Sequence, residues 1–180
     1  MSTVFFDIDT QIDFVFPAGA LYVPGAERIL PKVAALNRYA VSMGLPLIST
    51  MDAHAENDVE FRLWPPHCVV DTFGQRKAAV TLMEGNRQVF IEKQTVDCFS
   101  NPKLDELLRE WKAAEAVVYG VATDICVAIA VRGLLARGVR VTVVQDAVAE
   151  LNGEAAQNFE AELLAAGGQL VVASQICALD

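Results

Sequence analysis

The sequence contains no apolar run of membrane-spanning length, which requires about 20 residues. It is poor in basic residues: 14 Lys and Arg stand against 23 Asp and Glu, for a net charge of −9. That balance argues against nucleic acid or another polyanion as a partner. It suits a soluble enzyme acting on small, neutral or weakly charged molecules. The start, "MSTVFFDID", lacks a basic segment leading into an apolar stretch, so no secretion signal is read there. The four cysteines, Cys68, Cys98, Cys126 and Cys177, show no Cys-x-x-Cys spacing. In a core-rich chain they read as free thiols of a reducing cytoplasm, not as a disulfide framework. Histidine is scarcer still, with only His54 and His67. No linker, repeat or low-complexity segment is visible. What is present is 53% hydrophobic residues in a chain of 180, enough for one domain, 1–180, with a sizeable core.

Short apolar, β-rich runs alternate with helical patterns. Strands are predicted at 3–8, 45–51, 88–92, 116–121, 139–145 and 168–174. Helices are predicted at 26–43, at 102–113, from the turn after 121 to 135, and near 153–166. Strands buried on both faces between helices imply a mostly parallel sheet covered on both sides. Right-handed crossovers make this a three-layer α/β/α domain of Rossmann-like topology with about six strands. The one long irregular region, 52–87, is rich in Pro, His and Asp. A loop of that length inside a compact domain is usually functional.

In open α/β sheets ligands sit beyond the carboxyl ends of the strands. Asp7 and Asp9 end the first strand, Asp52 and His54 the second, Glu92 and Lys93 the third. Cys126 lies in the turn after the fourth, "YGVATDICVAIAVRGLL". With Thr123 as N-cap, Asp124 opens the helix and Cys126 is its third residue. Free N–H groups and the helix dipole there favour a thiolate and could hold an oxyanion. A single cysteine is more often an inert buried hydrophobe; the convergence of strand ends favours the nucleophile. Its proton acceptor is then Asp9, with Lys93 as electrostatic partner. Taken singly, Asp9 also reads as a turn-capping carboxylate and Lys93 as a solvated strand end. Asp52, His54 and His67, joined by Asp58, form a credible set for a divalent ion. The same spacing fits loop histidines hydrogen-bonded to carboxylates.

These residues, in this order, resemble the nicotinamidase branch of the isochorismatase-like cysteine hydrolases. The resemblance is carried by "DTQIDF" (9–14), "GALYVPG" (19–25), "DAH" (52–54), "WPPHC" (64–68), Lys93 and "GVATDICV" (120–127). It covers nearly the whole chain. It implies a triad of Asp9, Lys93 and Cys126, and an oxyanion hole from the N–H groups of Ala122 and Cys126. It implies a divalent metal on Asp52, His54 and His67, zinc first, with manganese or iron as alternatives. It also implies a cis peptide between Val121 and Ala122, substrate aromatics at Phe14, Trp64 and Phe99, and a cytoplasmic homo-oligomer. Two positions depart from the family: Asp58 stands where a histidine is usual, and Asp7 where an apolar residue is usual.

The expected function is metal-dependent hydrolysis of a small amide by Cys126, nicotinamide to nicotinate plus ammonia, a step of NAD salvage. The nearer alternative is an isochorismatase-type or other amide hydrolase with the same triad. A more distant one is a haloacid-dehalogenase-like phosphatase, with Asp7 as nucleophile, magnesium, and Ser49 or Thr50, Lys93 and Asp146 at strand ends. That reading leaves Cys126, His54 and His67 unexplained, and Gln11 departs from its pattern. A non-catalytic binding protein is the third, and it has no use for a thiol at a helix N-terminus.

Overall fold

The uninterrupted apolar runs of the sequence become interior strands. The computed structural model describes residues 2–85 and 87–177. Its centre is a sheet of β1 (Ser2–Ile8), β2 (Leu47–Asp52), β3 (Gln88–Lys93), β4 (Ala113–Val121), β5 (Arg140–Ala149) and β6 (Gln169–Val171). Every neighbouring pair is parallel, in the order β3-β2-β1-β4-β5-β6. β1 is buried from Val4 to Ile8 and β4 from Ala116 to Val121, with no alternation of buried and exposed residues. That pattern marks strands covered on both faces.

Two helices serve one face. α1 is a short turn, Ile12–Val15, and α2 (Leu30–Ser42) buries Val33, Leu36, Asn37 and Ala40, a helical stripe. They pack with Phe5, Leu47 and Tyr119 of the sheet. α3 (Pro102–Glu110), α4 (Ala128–Ala136) and α5 (Gly153–Ala165) lie against Val4, Phe6, Ile8 and Val118 on the other face. The three-layer α/β/α arrangement predicted from the pattern is thus present. Some bounds differ. The helix expected over 26–43 divides into a single turn, Ala26–Arg28, and α2, whose first turn accommodates Pro31. β6 ends early because the chain turns at Ala173–Gln175, where the Gln175 side chain accepts from the Val172 N–H at 2.8 Å.

From β1 the chain runs outward to β2 and β3, then crosses back so that β4 flanks β1 on its other side. This reversal opens a crevice beyond the carboxyl ends of β1 and β4. Their close approach depends on Gly120, which pairs with Ile8 at φ 116°. A Cβ there would fall on the Ile8 backbone carbonyl. Gly120→Ala is therefore expected to lower stability by more than about 2 kcal/mol, from strain and overpacking together. Urea unfolding measures this; an unchanged midpoint would mean that β4 yields without penalty.

Candidate active site

Asp7 and Asp9 would share a face if β1 stayed regular. Asp9 has φ 48°, in the left-handed region, and the two carboxylates part. Asp9 accepts from the Thr50 hydroxyl at 2.6 Å, whereas Asp7 accepts from the neighbouring Ser49 at 3.1 Å. Adjacent strand residues face opposite sides, so these carboxylates do as well. Asp7 is shut in among Thr10, Asn37 and Lys77, away from the crevice. That enclosure removes the phosphatase reading, which needs Asp7 as an accessible nucleophile. Asp7 is not among the influences that shift the Asp9 carboxyl upward. Burial does so first, Lys93 opposes it, and the repelling carboxylate is that of Asp52.

Lys93, the last residue of β3, links the parts of the site. Its Nζ lies 2.9 Å from Asp9 Oδ2, donates to Asp52 Oδ1, and is 3.8 Å from Cys126 Sγ. Burial disfavours this ammonium, but Asp9, Cys126 and Asp52 outweigh it and hold Lys93 well above the ordinary lysine value. Burial would raise Asp52 too, yet Lys93 and hydrogen bonds from both histidines keep it well below the usual carboxylate range.

The turn carrying Cys126 differs from the expected helix start. It is a π turn, Thr123–Val127, that runs into α4. Ala122 occupies the cap position, and Thr123 makes no capping bond; its buried hydroxyl has no hydrogen-bond partner among the described residues. The Val121–Ala122 peptide is cis. Burial pushes the Cys126 thiol well above its usual value; Lys93 pulls it down, while Asp9 and Asp52 add to the rise. Asp9 is the carboxylate that pairs with this thiol.

Asp52, His54 and His67 bring one ligand atom each within 4.8 Å of one another. His67 Nδ1 sits 2.8 Å from the Pro65 carbonyl, which turns Nε2 toward Asp52 Oδ2 at 3.4 Å. His54 has Asp58 Oδ2 3.1 Å from its Nδ1, and its Nε2 faces Asp52 at 3.6 Å and Glu60 at 3.7 Å. The Pro65 carbonyl behind His67 and the Asp58 carboxylate behind His54 leave both Nε2 atoms facing inward, where each can serve as a ligand once it carries no proton. Asp58 therefore stands behind His54, not among the inward-facing donors where the sequence reading joined it to them. Glu60, which that reading missed, faces inward. Its Oε2 and both ring nitrogens of His54 are buried without a hydrogen-bond partner among the described residues. Buried orphan donors of this type suit a divalent ion. The only sequence signal for Glu60 was a carboxylate in the same loop as His67.

Two further residues of "DTQIDF" hold this arrangement together. The Gln11 side chain accepts from the Asp52 N–H at 2.7 Å and donates to the Asp52 carbonyl at 2.8 Å, fixing the end of β2. Asp13 accepts from the N–H groups of Cys68 at 2.7 Å and Ala20 at 3.0 Å, tying the His67 segment to the loop after α1.

A crevice joins these groups, and Asp9, Asp52, His67, Ala122 and Cys126 all line it. Phe14 and Trp64 form aromatic walls, and Val96, Ile125 and Leu151 aliphatic ones. Phe99, expected as a third substrate aromatic, is not in this wall. Its ring lies beneath the Arg137 guanidinium, 3.6 Å from centroid to Cζ, and against Gly133 of α4, where a Cβ would strike it. The short turn Cys98–Ser100 carries it outward, and Val96 lines the crevice instead.

Comparison with known proteins agrees with this geometry. Residues 3–175 match the isochorismatase domain family. The chain is 28% identical over 195 residues to the nicotinamidase of Escherichia coli (strain K12), covering 91% of each chain. It is 30% identical over 157 residues to the uncharacterized isochorismatase family protein PncA of Bacillus subtilis (strain 168), covering 82% of this chain and 86% of that one. The crystal structure of the pyrazinamidase of Pyrococcus horikoshii in complex with zinc superposes with a TM-score of 0.88 at 29% identity, over 96% of this chain and 99% of that one. With the fold, the strand-end cluster and these matches in agreement, the chain belongs to the isochorismatase family of hydrolases.

Proposed function

We propose that this protein is a metal-dependent cysteine amidohydrolase acting on small neutral aromatic carboxamides, nicotinamide first. The observation that carries the reading is the meeting of Cys126, Asp9, Asp52 and His67 in the wall of one crevice, with Lys93 held behind it against Asp9, Asp52 and Cys126, and His54 beside Asp52. Cys126 Sγ attacks the amide carbon as Asp9 takes the thiol proton. The N–H groups of Ala122 and Cys126 hold the oxyanion, and Lys93 balances the charge passing between sulfur and carboxylate. Asp9 returns the proton to nitrogen, the C–N bond breaks and ammonia leaves. Water, deprotonated by Asp9, then hydrolyses the thioester. Asp52, His54 and His67 would hold a divalent ion, which would supply a Lewis acid for orienting a substrate that carries a ring nitrogen. Two imidazoles and a carboxylate suit zinc, and also manganese or iron. Glu60 would add a fourth inward donor, its Oε2, and Asp58 orients His54.

The charge of the wall supports a neutral substrate. Its ionisable carboxylates are Asp9, Asp52 and Glu60, and no lysine or arginine lines it among the described residues. An isochorismate-type dianion would meet these carboxylates with no lysine or arginine side chain in the wall to pair with it. The test is ammonia release from nicotinamide, before and after iodoacetamide treatment, and before and after chelation. Release lost on alkylation and restored by metal after chelation is the expected result. Release indifferent to alkylation would overturn the reading.

The donors themselves give a separate prediction. Glu60→Gln and Asp58→Asn are each expected to weaken metal binding by about 10- to 100-fold, the first by removing an inward oxygen's charge, the second by loosening His54. Competition with a chromogenic chelator measures both. Unchanged affinity in either variant would remove that residue from the site.

A further inference from the structure

Asp124 sits two residues before Cys126 in the same turn, yet its carboxylate serves another segment. Oδ1 accepts from the Leu151 N–H at 2.9 Å and Oδ2 from the Asn152 N–H at 3.1 Å. These two residues join β5 to α5, and Asn152 caps the helix by accepting from the Ala155 N–H at 3.0 Å. Leu151 lines the same crevice as Cys126 and is 39% exposed, so it stands at the open edge. It belongs to neither of the two apolar clusters that fill the faces of the sheet. A large apolar side chain outside any core is held in place only as well as its backbone is held. Here two charge-assisted hydrogen bonds supply that hold.

We infer that Asp124 is a positioning residue that pins Leu151 at the mouth of the crevice and so sets the size of molecule that reaches Cys126. Because one side chain ties the wall to the nucleophile's own turn, the gap between Leu151 and the sulfur is fixed as a unit. An aliphatic gate of this kind selects a single flat ring over a fused or extended one. The inference rests on the proposed amide hydrolysis for its substrate consequence alone; the gate itself concerns access to the thiol.

The first experiment uses two thiol reagents, compact iodoacetamide and bulky N-(1-pyrenyl)maleimide, with labelling of Cys126 assigned by peptide mass spectrometry. In Asp124→Ala and in Leu151→Ala the bulky-to-compact rate ratio is expected to rise about tenfold, the scale on which an apolar wall discriminates size. The double variant is expected to rise no further than Leu151→Ala, since both changes open the same gate. Asp124→Asn, whose amide oxygen still accepts one N–H, is expected to lie between Asp124→Ala and the parent, and it serves if the alanine variant fails to fold. A ratio unchanged in Asp124→Asn or in Leu151→Ala, or single effects that add in the double variant, would overturn the inference. In turnover, the same variants are expected to shift preference from nicotinamide toward quinoline-3-carboxamide. If the parent hydrolyses neither amide, the proposed function fails while the labelling ratio still decides the role of Asp124.

Discussion

Cys126→Ala is expected to reduce amide hydrolysis by about 10⁴-fold or more while leaving the fold and metal affinity intact. The other thiols cannot substitute. Cys68, Cys98 and Cys177 are buried and none lines the crevice. Burial and nearby carboxylates further push the Cys98 thiol up to about 12. The remaining lining groups are carboxylates, an imidazole, aromatics and aliphatics, and an activated water would have to replace a covalent route. The substitution removes one sulfur atom and creates no buried charge, because Lys93 keeps Asp9 and Asp52 as partners. Circular dichroism and chelator competition should therefore match the parent while ammonia release at high enzyme concentration falls to background. Retained turnover in this variant would remove the thiol from the chemistry and the proposed mechanism with it.

The layers of the fold were legible because burial on both faces leaves a plain trace: strands without alternation, separated by helical stripes. The strand ends were legible for the same reason, since a parallel sheet places all its carboxyl ends on one edge. Hence Asp9, Asp52, Lys93 and Cys126 could be grouped before any coordinates. Direction within a loop leaves no such trace. Asp58 and Glu60 are two residues apart, yet one carboxylate stands behind His54 and the other faces inward. Phe99 follows Val96 by three residues, and a single turn decides which of them meets the crevice.

Backbone irregularity hid the rest. Strand period carries Asp7 to the face of Asp9, and one left-handed residue reverses that. A π turn after β4 shifts the cap from Thr123 to Ala122 and frees the Asp124 carboxylate for a distant segment. The protonation of Cys126 depends on desolvation, which only the packed structure reveals. The helix dipole is the favourable half of the thiol's environment, and burial is the unfavourable half.

Asp7→Ala is expected to destabilise the protein by about 3–5 kcal/mol without touching the crevice. Lys77 Nζ lies 2.8 Å from Asp7 Oδ2, and both side chains are buried. The carboxylate also accepts from Thr10 at 2.7 Å, Asn37 at 3.0 Å and Ser49 at 3.1 Å. Removing it leaves an ammonium in the interior with no counter-charge, and three donors short of an acceptor. Burial already lowers the Lys77 pKa from 10.5, and Asp7 is the first influence opposing that fall. Without Asp7 the folded protein gives up this proton at a lower pH still, while the unfolded chain retains it. The unfolded state then binds more protons, so the variant's stability should rise as pH increases toward 10.5, the ordinary lysine value. Paired substitution separates charge from shape: Asp7→Leu with Lys77→Met removes both ions together and should recover most of the loss. Urea unfolding at pH 7 and pH 9 tests each part. A loss below about 1 kcal/mol at pH 7 in Asp7→Ala would mean that solvent reaches Lys77 and that the pair is not an interior one.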